Sequence, residues 1–230
     1  MSNISDGAIA WHDDIAERFA GAYKRSPAFQ DRLKVWSSLI EAHVRPGDTV
    51  LDMGCGPGLF SMLAAQRGAQ VLGIDGSERM IALCRESAAA SGVSNLAFDV
   101  ADIAALDDRA ARSLDVILCS SVLEYVPDLD RQLARFARLL RPGGTLIVSM
   151  PNAQSFYRRM ERLAFLLTKR PRYFAHVRNV PSTNGMTAAL ARAGFGVEET
   201  RFFAAPPFAV PGVGPRHSAT LFVMVARREG

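Results

Sequence analysis

Cysteine is scarce, with only Cys55, Cys84 and Cys119 in 230 residues. They are scattered, and none stands in a CxxC pair or in a Cys/His group with zinc spacing, so neither a disulfide framework nor a metal site is legible. No run of about 18 uninterrupted apolar residues occurs, which leaves no expectation of a membrane-spanning helix. The opening MSNISDGAIAWHDD lacks a basic start followed by an apolar run, so no secretion signal is expected either. Repeats and low-complexity tracts are missing too. A reducing compartment and the missing export signal together predict a cytoplasmic location.

What is present suits a globular chain. Hydrophobic residues make up 49% and charged residues 22%, enough apolar surface for a core, and the length predicts one domain over residues 1–230. The net charge is +4, and its distribution matters more than its sum: Tyr157 to Arg178 holds seven Lys or Arg residues against one acid, Glu161. Such a segment could meet an anionic substrate, an acidic partner or an anionic membrane surface in a peripheral contact, or it could be a solvated helix face. Nucleic acid is not an expected partner, because no nucleic-acid-binding module accompanies the charge. The oligomeric state is not legible.

Along the chain, Ile15, Phe19 and Ala22, then Phe29, Leu33, Trp36, Leu39 and Ile40, recur at helical spacing and break at Ser26-Pro27. Two helices are expected, forming a cap over residues 13–44. Strands are expected at Thr49–Met53, Gln70–Ile74, Leu96–Val100, Leu114–Cys119 and Thr145–Met150, separated by helices at Ser77–Ser91, Asp130–Leu140 and, more weakly, Ala104–Arg112. Arg141 to Gly144 reads as a turn. Residues 45–150 therefore form an alternating core. Residues 151–181 break the rhythm as an inserted helical lid, whose Phe156, Met160, Leu163 and Leu167 share one face and are expected to pack it down, a membrane anchor being the less favoured reading. Residues 182–230 give a helix and an antiparallel strand pair, Val197–Ala204 against Ala219–Ala226. The resulting expectation is an α/β, Rossmann-like, doubly wound and mainly parallel seven-stranded sheet with helices on both faces.

The most informative run is Val50-Leu51-Asp52-Met53-Gly54-Cys55-Gly56-Pro57-Gly58. A strand enters glycines and then a helix, so backbone can approach a ligand closely and helix N-terminal amides face it. Asp75 ends the next strand, where doubly wound folds place the carboxylate that accepts ribose hydroxyls. A dinucleotide fingerprint would need Gly or Ala where Leu59 stands, so an NAD-dependent oxidoreductase is the weaker reading. The spacing is instead DxGxGxG, in which Asp52 would repel a pyrophosphate but suits the ammonium of an amino-acid cofactor.

On these residues the chain resembles the class I S-adenosylmethionine-dependent methyltransferases from about Phe19 to Arg227, with LDMGCGPG as their first motif and LLRPGG as their turn before the fifth strand. Within the family it is most similar to small-molecule O-methyltransferases of the ubiquinone and Mg-protoporphyrin type. The resemblance implies S-adenosylmethionine as cofactor and a small-molecule acceptor. It implies that Gly54, Cys55 and Gly56 lie under the methionine part, that Asp75 with Gly76 beside it holds the ribose, and that Met80 packs on adenine. Asp102 and Ile103 would read the adenine edge, Ser120 would line the loop after the fourth strand, and Tyr23 with Arg32 would close over the cofactor's carboxylate.

One departure is clear. Where many relatives carry Glu-His after the fourth strand, this chain has Glu124-Tyr125, so no catalytic base is carried over. His176 and Tyr125 are the catalytic candidates, and Tyr125, Tyr157, Arg158, Tyr173 and Arg178 the acceptor-binding ones. His12, His43 and His217 read as surface residues, and Cys55 as loop backbone rather than nucleophile. Methylation of an oxygen is the leading expectation. N- or C-methylation and a non-catalytic cofactor-binding subunit stay open, since acceptor identity lives in lid and loops.

Overall fold

The structure, a computed structural model, describes residues 4–101, 113–170, 172–206 and 214–230. The expected helix at 104–112 and the candidates Asp102 and Ile103 lie outside them.

Two helices, α1 (Ile4–Arg25) and α2 (Pro27–His43), precede the sheet. Ser26 and Pro27 separate them, as their sequence predicts, because proline is tolerated only in the first turn. α1 starts upstream of the expected Asp13. Five strands then run parallel: β1 (Thr49–Met53), β2 (Gln70–Asp75), β3 (Leu96–Val100), β4 (Leu114–Ser120) and β5 (Leu140–Pro151). Between them lie α3 (Leu59–Gln66), α4 (Glu78–Ser91) and α5 (Leu129–Leu139). Beyond β5 come α6 (Phe156–Thr168), a 3-10 turn (Arg172–Ala175), α7 (Thr183–Arg192), β6 (Phe195–Phe203), α8 (Pro215–Ser218) and β7 (Leu221–Arg228). β7 pairs antiparallel with both β5 and β6, giving the order β3-β2-β1-β4-β5-β7-β6.

Strand side chains alternate between two cores, as a period of two requires. Leu51, Met53, Ile117, Leu146, Val148, Phe222 and Met224 meet Leu133 and Phe136 of α5 and Met186 and Leu190 of α7. Val50, Val116, Leu118, Ile147, Val223 and Val225 meet Trp36, Leu39 and Ile40 of α2 and Phe60 and Ala64 of α3. Helix starts are set locally: Ser77, Asp128, Ser155 and Ser182 each accept a hydrogen bond from the backbone N–H three residues on. The chain turns away from β1 in both directions, to β2 on one side and β4 on the other. The crevice outside their carboxyl ends is where doubly wound sheets bind ligands.

Two expectations need correction. Arg141 to Gly144 lies within the span of β5 rather than ahead of it: Leu114 pairs with Leu140 and Val116 with Thr145, so the extra residues bulge out of the ladder. Gly143 has φ +72° there, which explains why the run reads as a turn. Phe156, Met160, Leu163 and Leu167 do not pack the lid down but are exposed, and the buried residue of α6 is Arg158.

Candidate active site

A cavity of about 610 Å³ opens at that crevice, floored by the loop after β1, walled by the ends of β2 and β4, and roofed by α1 and α6. Gly54 has φ +70°, and a Cβ there would sit 2.3 Å from Val122, so no other residue fits. At Gly56, φ +52°, a Cβ would meet only Phe19 at 3.7 Å and would otherwise project towards the cavity. The missing side chain leaves backbone for a ligand to approach. Asp75 lines the same floor. Its carboxylate accepts bonds from the Gly56 N–H and the Ser77 N–H, both 2.9 Å. One lone pair on each oxygen is thereby engaged and the other left for a donor in the cavity.

The residues around this floor come from separate elements. Gly76 and the fully buried Met80 continue the wall from β2 into α4. The Ser77 hydroxyl that caps α4 donates to Asp13 Oδ1 at 2.6 Å, and Asp13 also accepts from the Arg79 N–H, which ties α1 to this wall. Tyr23, Phe19 and Phe29 form an edge-to-face cluster above it. Burial pushes the Tyr23 phenol above its usual range. Arg32 is buried and donates through Nη2 to the Ser120 carbonyl at 2.9 Å and hydroxyl at 2.5 Å. Arg32 and Ser120 thus form one unit of the wall.

Asp52 departs from expectation: its side chain is not among those lining the cavity. On β1 it alternates with Leu51 and Met53 and so faces α3, where its Oδ2 accepts from Ser61 Oγ at 2.6 Å. Burial raises its pKa to about 7, opposed by the Ser61 bond. An ammonium in the cavity is therefore not its direct partner. Cys55 lines the cavity while all three cysteines are free and buried, and Cys84 Sγ contacts the Gly56 carbonyl at 3.0 Å.

The opposite end is polar and aromatic. Arg158, 8% exposed, donates through Nη1 to the Tyr173 hydroxyl at 2.6 Å and to Glu161 at 3.3 Å. Burial takes the Tyr173 phenol up to about 12. Tyr125 lines this end, and burial together with the neighbouring Glu124 charge keeps its phenol protonated far above neutrality. That rules it out as a proton acceptor at neutral pH. His176, Tyr157 and Arg178 are not among the lining residues. Arg178 is exposed, and its contribution is a backbone N–H donated to the Glu124 carbonyl at 2.7 Å. His176 lies against Gly7, outside the wall.

Sequence reasoning missed Trp11, His12, Glu124 and Glu161, all of which line the cavity. His12, expected on the surface, packs edge-on against Tyr125 with ring centroids 5.5 Å apart. Its imidazole is held below the usual histidine range by burial, against the raising effect of Asp75. The signal was available: Ala8, His12, Ile15, Phe19 and Ala22 continue one helical face upstream of Asp13.

Fold and site together define a doubly wound domain that binds a nucleoside-bearing cofactor at the carboxyl ends of β1 and β2. Comparison with known proteins makes this specific. A family described as Methyltransferase domain matches residues 45–193, and the chain belongs to it. A ubiquinone biosynthesis O-methyltransferase of Hahella chejuensis is 38% identical over 153 residues, covering 66% of this chain and 64% of that protein. The chain thus spans just under two thirds of that curated relative. An S-adenosylmethionine-dependent methyltransferase from Mesorhizobium loti superposes with a TM-score of 0.64 at 26% identity, covering 83% of this chain and 96% of that one. The 1,6-didemethyltoxoflavin-N1-methyltransferase of Burkholderia thailandensis, solved with S-adenosylhomocysteine, gives 0.69 at 18% identity over 100% of this chain and 92% of its own, a likeness of fold. The chain is a class I methyltransferase domain whose cofactor is S-adenosylmethionine. The cavity floor suits that molecule, because it combines a bare glycine backbone, a carboxylate with spare lone pairs and a buried thioether.

Proposed function

We propose that this protein transfers a methyl group from S-adenosylmethionine to an oxygen of a small-molecule acceptor. The observation that carries the reading is one cavity with two chemically different ends: glycine backbone, Asp75 and Met80 at one, and Tyr125, Arg158 and Tyr173 at the other. The relative from Hahella chejuensis, named as an O-methyltransferase, supports oxygen as the accepting atom. Asp75 and Gly76 hold the ribose, Met80 flanks the adenine, and Gly54, Cys55 and Gly56 lie under the methionine part. Arg32, Ser120 and Tyr23 close the carboxylate end, with Asp52 supporting the loop from beneath. Bound there, the cofactor supplies a methyl group made electrophilic by its sulfonium. The protein's part is to align the acceptor and exclude water, which Trp11, Phe19 and Tyr125 do as an aromatic roof.

The cationic Arg158 suits an acceptor carrying an anionic or partly ionised oxygen. A cytoplasmic location fits the free, buried cysteines, and among the described residues no helix is long and apolar enough to cross a membrane. The exposed apolar side of α6, flanked by Arg159 and Arg162, suits a peripheral contact with an anionic bilayer, which vesicle flotation tests.

The function itself is tested by calorimetry with S-adenosylhomocysteine and by labelled methyl transfer to a panel of phenols, carboxylates and amines. Asp75→Ala should weaken cofactor-product binding by at least about a hundredfold, since two charge-assisted bonds of roughly 1.5–3 kcal/mol each are lost. An unchanged dissociation constant overturns the placement, and label appearing on amines alone overturns the choice of oxygen.

A further inference from the structure

His12 of α1 stands where the two ends of the cavity meet. On one side its ring packs edge-on against Phe19, with centroids 6.1 Å apart, and Phe19 is the side chain that faces the open position at Gly56. On the other it packs edge-on against Tyr125 at 5.5 Å, with Trp11 beside it at 4.8 Å. The succession Gly56, Phe19, His12, Tyr125 sets the imidazole between the glycine floor and the acceptor end, the interval that a methyl group must cross. All three ring contacts are aromatic. No described group hydrogen-bonds a ring nitrogen of His12, whereas Asp75, Arg32 and Arg158 all spend bonds on the protein. The residue is half-buried rather than sealed, and it lines the cavity. An imidazole carries one donor and one acceptor when neutral, and here both are left for a ligand.

We propose that His12 is the proton acceptor for a phenolic hydroxyl of the methyl acceptor, taking the proton on a ring nitrogen as the methyl group moves. This rests on the oxygen-methylation reading above. The acceptor's O–H bond breaks and its proton passes to the imidazole. The freed oxygen pair forms the new bond to the methyl carbon, and the pair that joined that carbon to sulfur stays with sulfur. The positive charge lost at sulfur reappears on the imidazolium, so the cavity holds one cation before and after the step and no new charge is desolvated. His12 then releases the proton to solvent. The charged and titratable groups around it are Asp75 at the end of β2, Tyr125 after β4, Tyr173 and His176 at and after the 3-10 turn, and Arg158 and Glu161 of α6 on the same cavity. Burial holds the imidazole below the usual histidine range, and His176 adds to the lowering, so at neutral pH it is uncharged and able to accept. The Asp75 charge acts the other way and favours the imidazolium that forms. A base that is free at neutral pH and stabilised once protonated is what general-base work requires.

His12→Gln keeps a polar side chain of similar reach and removes the basicity, and His12→Asn serves the same purpose if the first variant does not fold. Each should be compared with the wild type on catechol, un-ionised at neutral pH, and on 4-nitrocatechol, whose first hydroxyl is already largely ionised there. The expected result is a loss of kcat of at least about a hundredfold on catechol and a much smaller one, about threefold, on 4-nitrocatechol, with S-adenosylhomocysteine affinity within about threefold of the wild type. A purely positioning role predicts equal losses on both probes and overturns the proposal, as does undiminished catechol turnover. So does a wild type that binds S-adenosylhomocysteine but methylates neither probe. Failure of the wild type to bind S-adenosylhomocysteine at all would overturn the function reading and this inference with it. A second measurement needs no variant: kcat of the wild type on catechol should be level through neutrality and fall about tenfold per pH unit only below the ordinary histidine range, near 6.5. That acid limb should be missing from the residual rate of His12→Gln, whereas a limb owed to Asp52 would survive there. A rate that rises steadily through neutrality would mean that solvent removes the proton, and it overturns the proposal, as does a limb that the variant retains.

Discussion

α5 and α6 look alike in sequence and behave oppositely in the fold. Each carries a stripe of large apolar residues opposite a set of arginines. α5 buries Leu133, Phe136 and Leu139 and leaves Arg131 and Arg138 exposed. In α6 the buried residue is Arg158, while Phe156, Met160, Leu163, Leu166 and Leu167 are all more than half exposed, Leu167 the most at 81%. The difference lies in what each helix meets. α5 rests on β4 and β5, whose Ile117, Leu146 and Val148 are apolar. α6 lies beyond the strands' carboxyl ends, where its inner side meets Glu124, Tyr125 and Tyr173 at the cavity. Amphipathicity says that two faces differ, and the neighbour decides which turns inward.

The contrast breaks most visibly at Phe136. Phe136→Ala should cost about 3–5 kcal/mol of unfolding free energy, the range for emptying a fully buried aromatic site, as read by urea denaturation at neutral pH. A cost under about 1 kcal/mol would mean that α5 does not rest on the sheet as described.

The two buried ionisable side chains differ in their partners: Asp52 on β1 has a hydroxyl, whereas Arg158 has an acid and a phenol. The Asp52 pKa is raised to about 7 from an ordinary 3.8, so between those values the folded chain binds a proton that the unfolded chain has lost. Stability from this group is present below about pH 4 and declines as pH rises to about 7, then stays flat. Asp52→Asn keeps the shape and should remove the decline, raising unfolding free energy at pH 8 by on the order of 2–4 kcal/mol while leaving pH 4 nearly unchanged. A variant equally stable or weaker at pH 8 would show that Asp52 is ionised without strain.

Much of this was legible beforehand, and the reasons differ by region. The sheet was readable because buried strands and glycine turns leave local signals: the run from Val50 to Gly58 forms β1 and a loop whose Gly54 is fixed by contact with Val122. Asp75 was readable from its place at a strand end. Asp52 was misread because its role depends on strand parity, which turns it to Ser61 rather than to the cavity. Glu124 reaches the cavity wall only through the fold of the loop after β4, which leaves no local signal in the sequence. His12 was misread because α1 was started too late. Those residues meet only through tertiary contacts that no local pattern encodes.

A smaller effect is expected at Arg158. Arg158→Ala should raise KM for 3,4-dihydroxybenzoate about tenfold, consistent with one charge-assisted contact of roughly 1.5–3 kcal/mol, and leave S-adenosylhomocysteine affinity within about twofold. An unchanged KM would assign Arg158 to holding Tyr173 and Glu161 alone.

The smallest effect belongs to the outer face of the same helix. Leu167 is the most exposed of the large apolar residues on α6, so folding removes little of its surface from water and its replacement creates no cavity. Leu167→Ser should therefore change unfolding free energy by no more than about 0.5 kcal/mol, the usual range for surface positions. Serine is a somewhat poorer helix former than leucine, which accounts for a small loss of a few tenths of a kcal/mol. The measurement should be made at two protein concentrations about twentyfold apart, because burial against a second copy would make the cost depend on concentration whereas intramolecular burial would not. A concentration-independent loss above about 1.5 kcal/mol would mean that Leu167 is covered by its own chain. In that case α6 would bury its apolar stripe as α5 does, and the two helices would obey one rule after all.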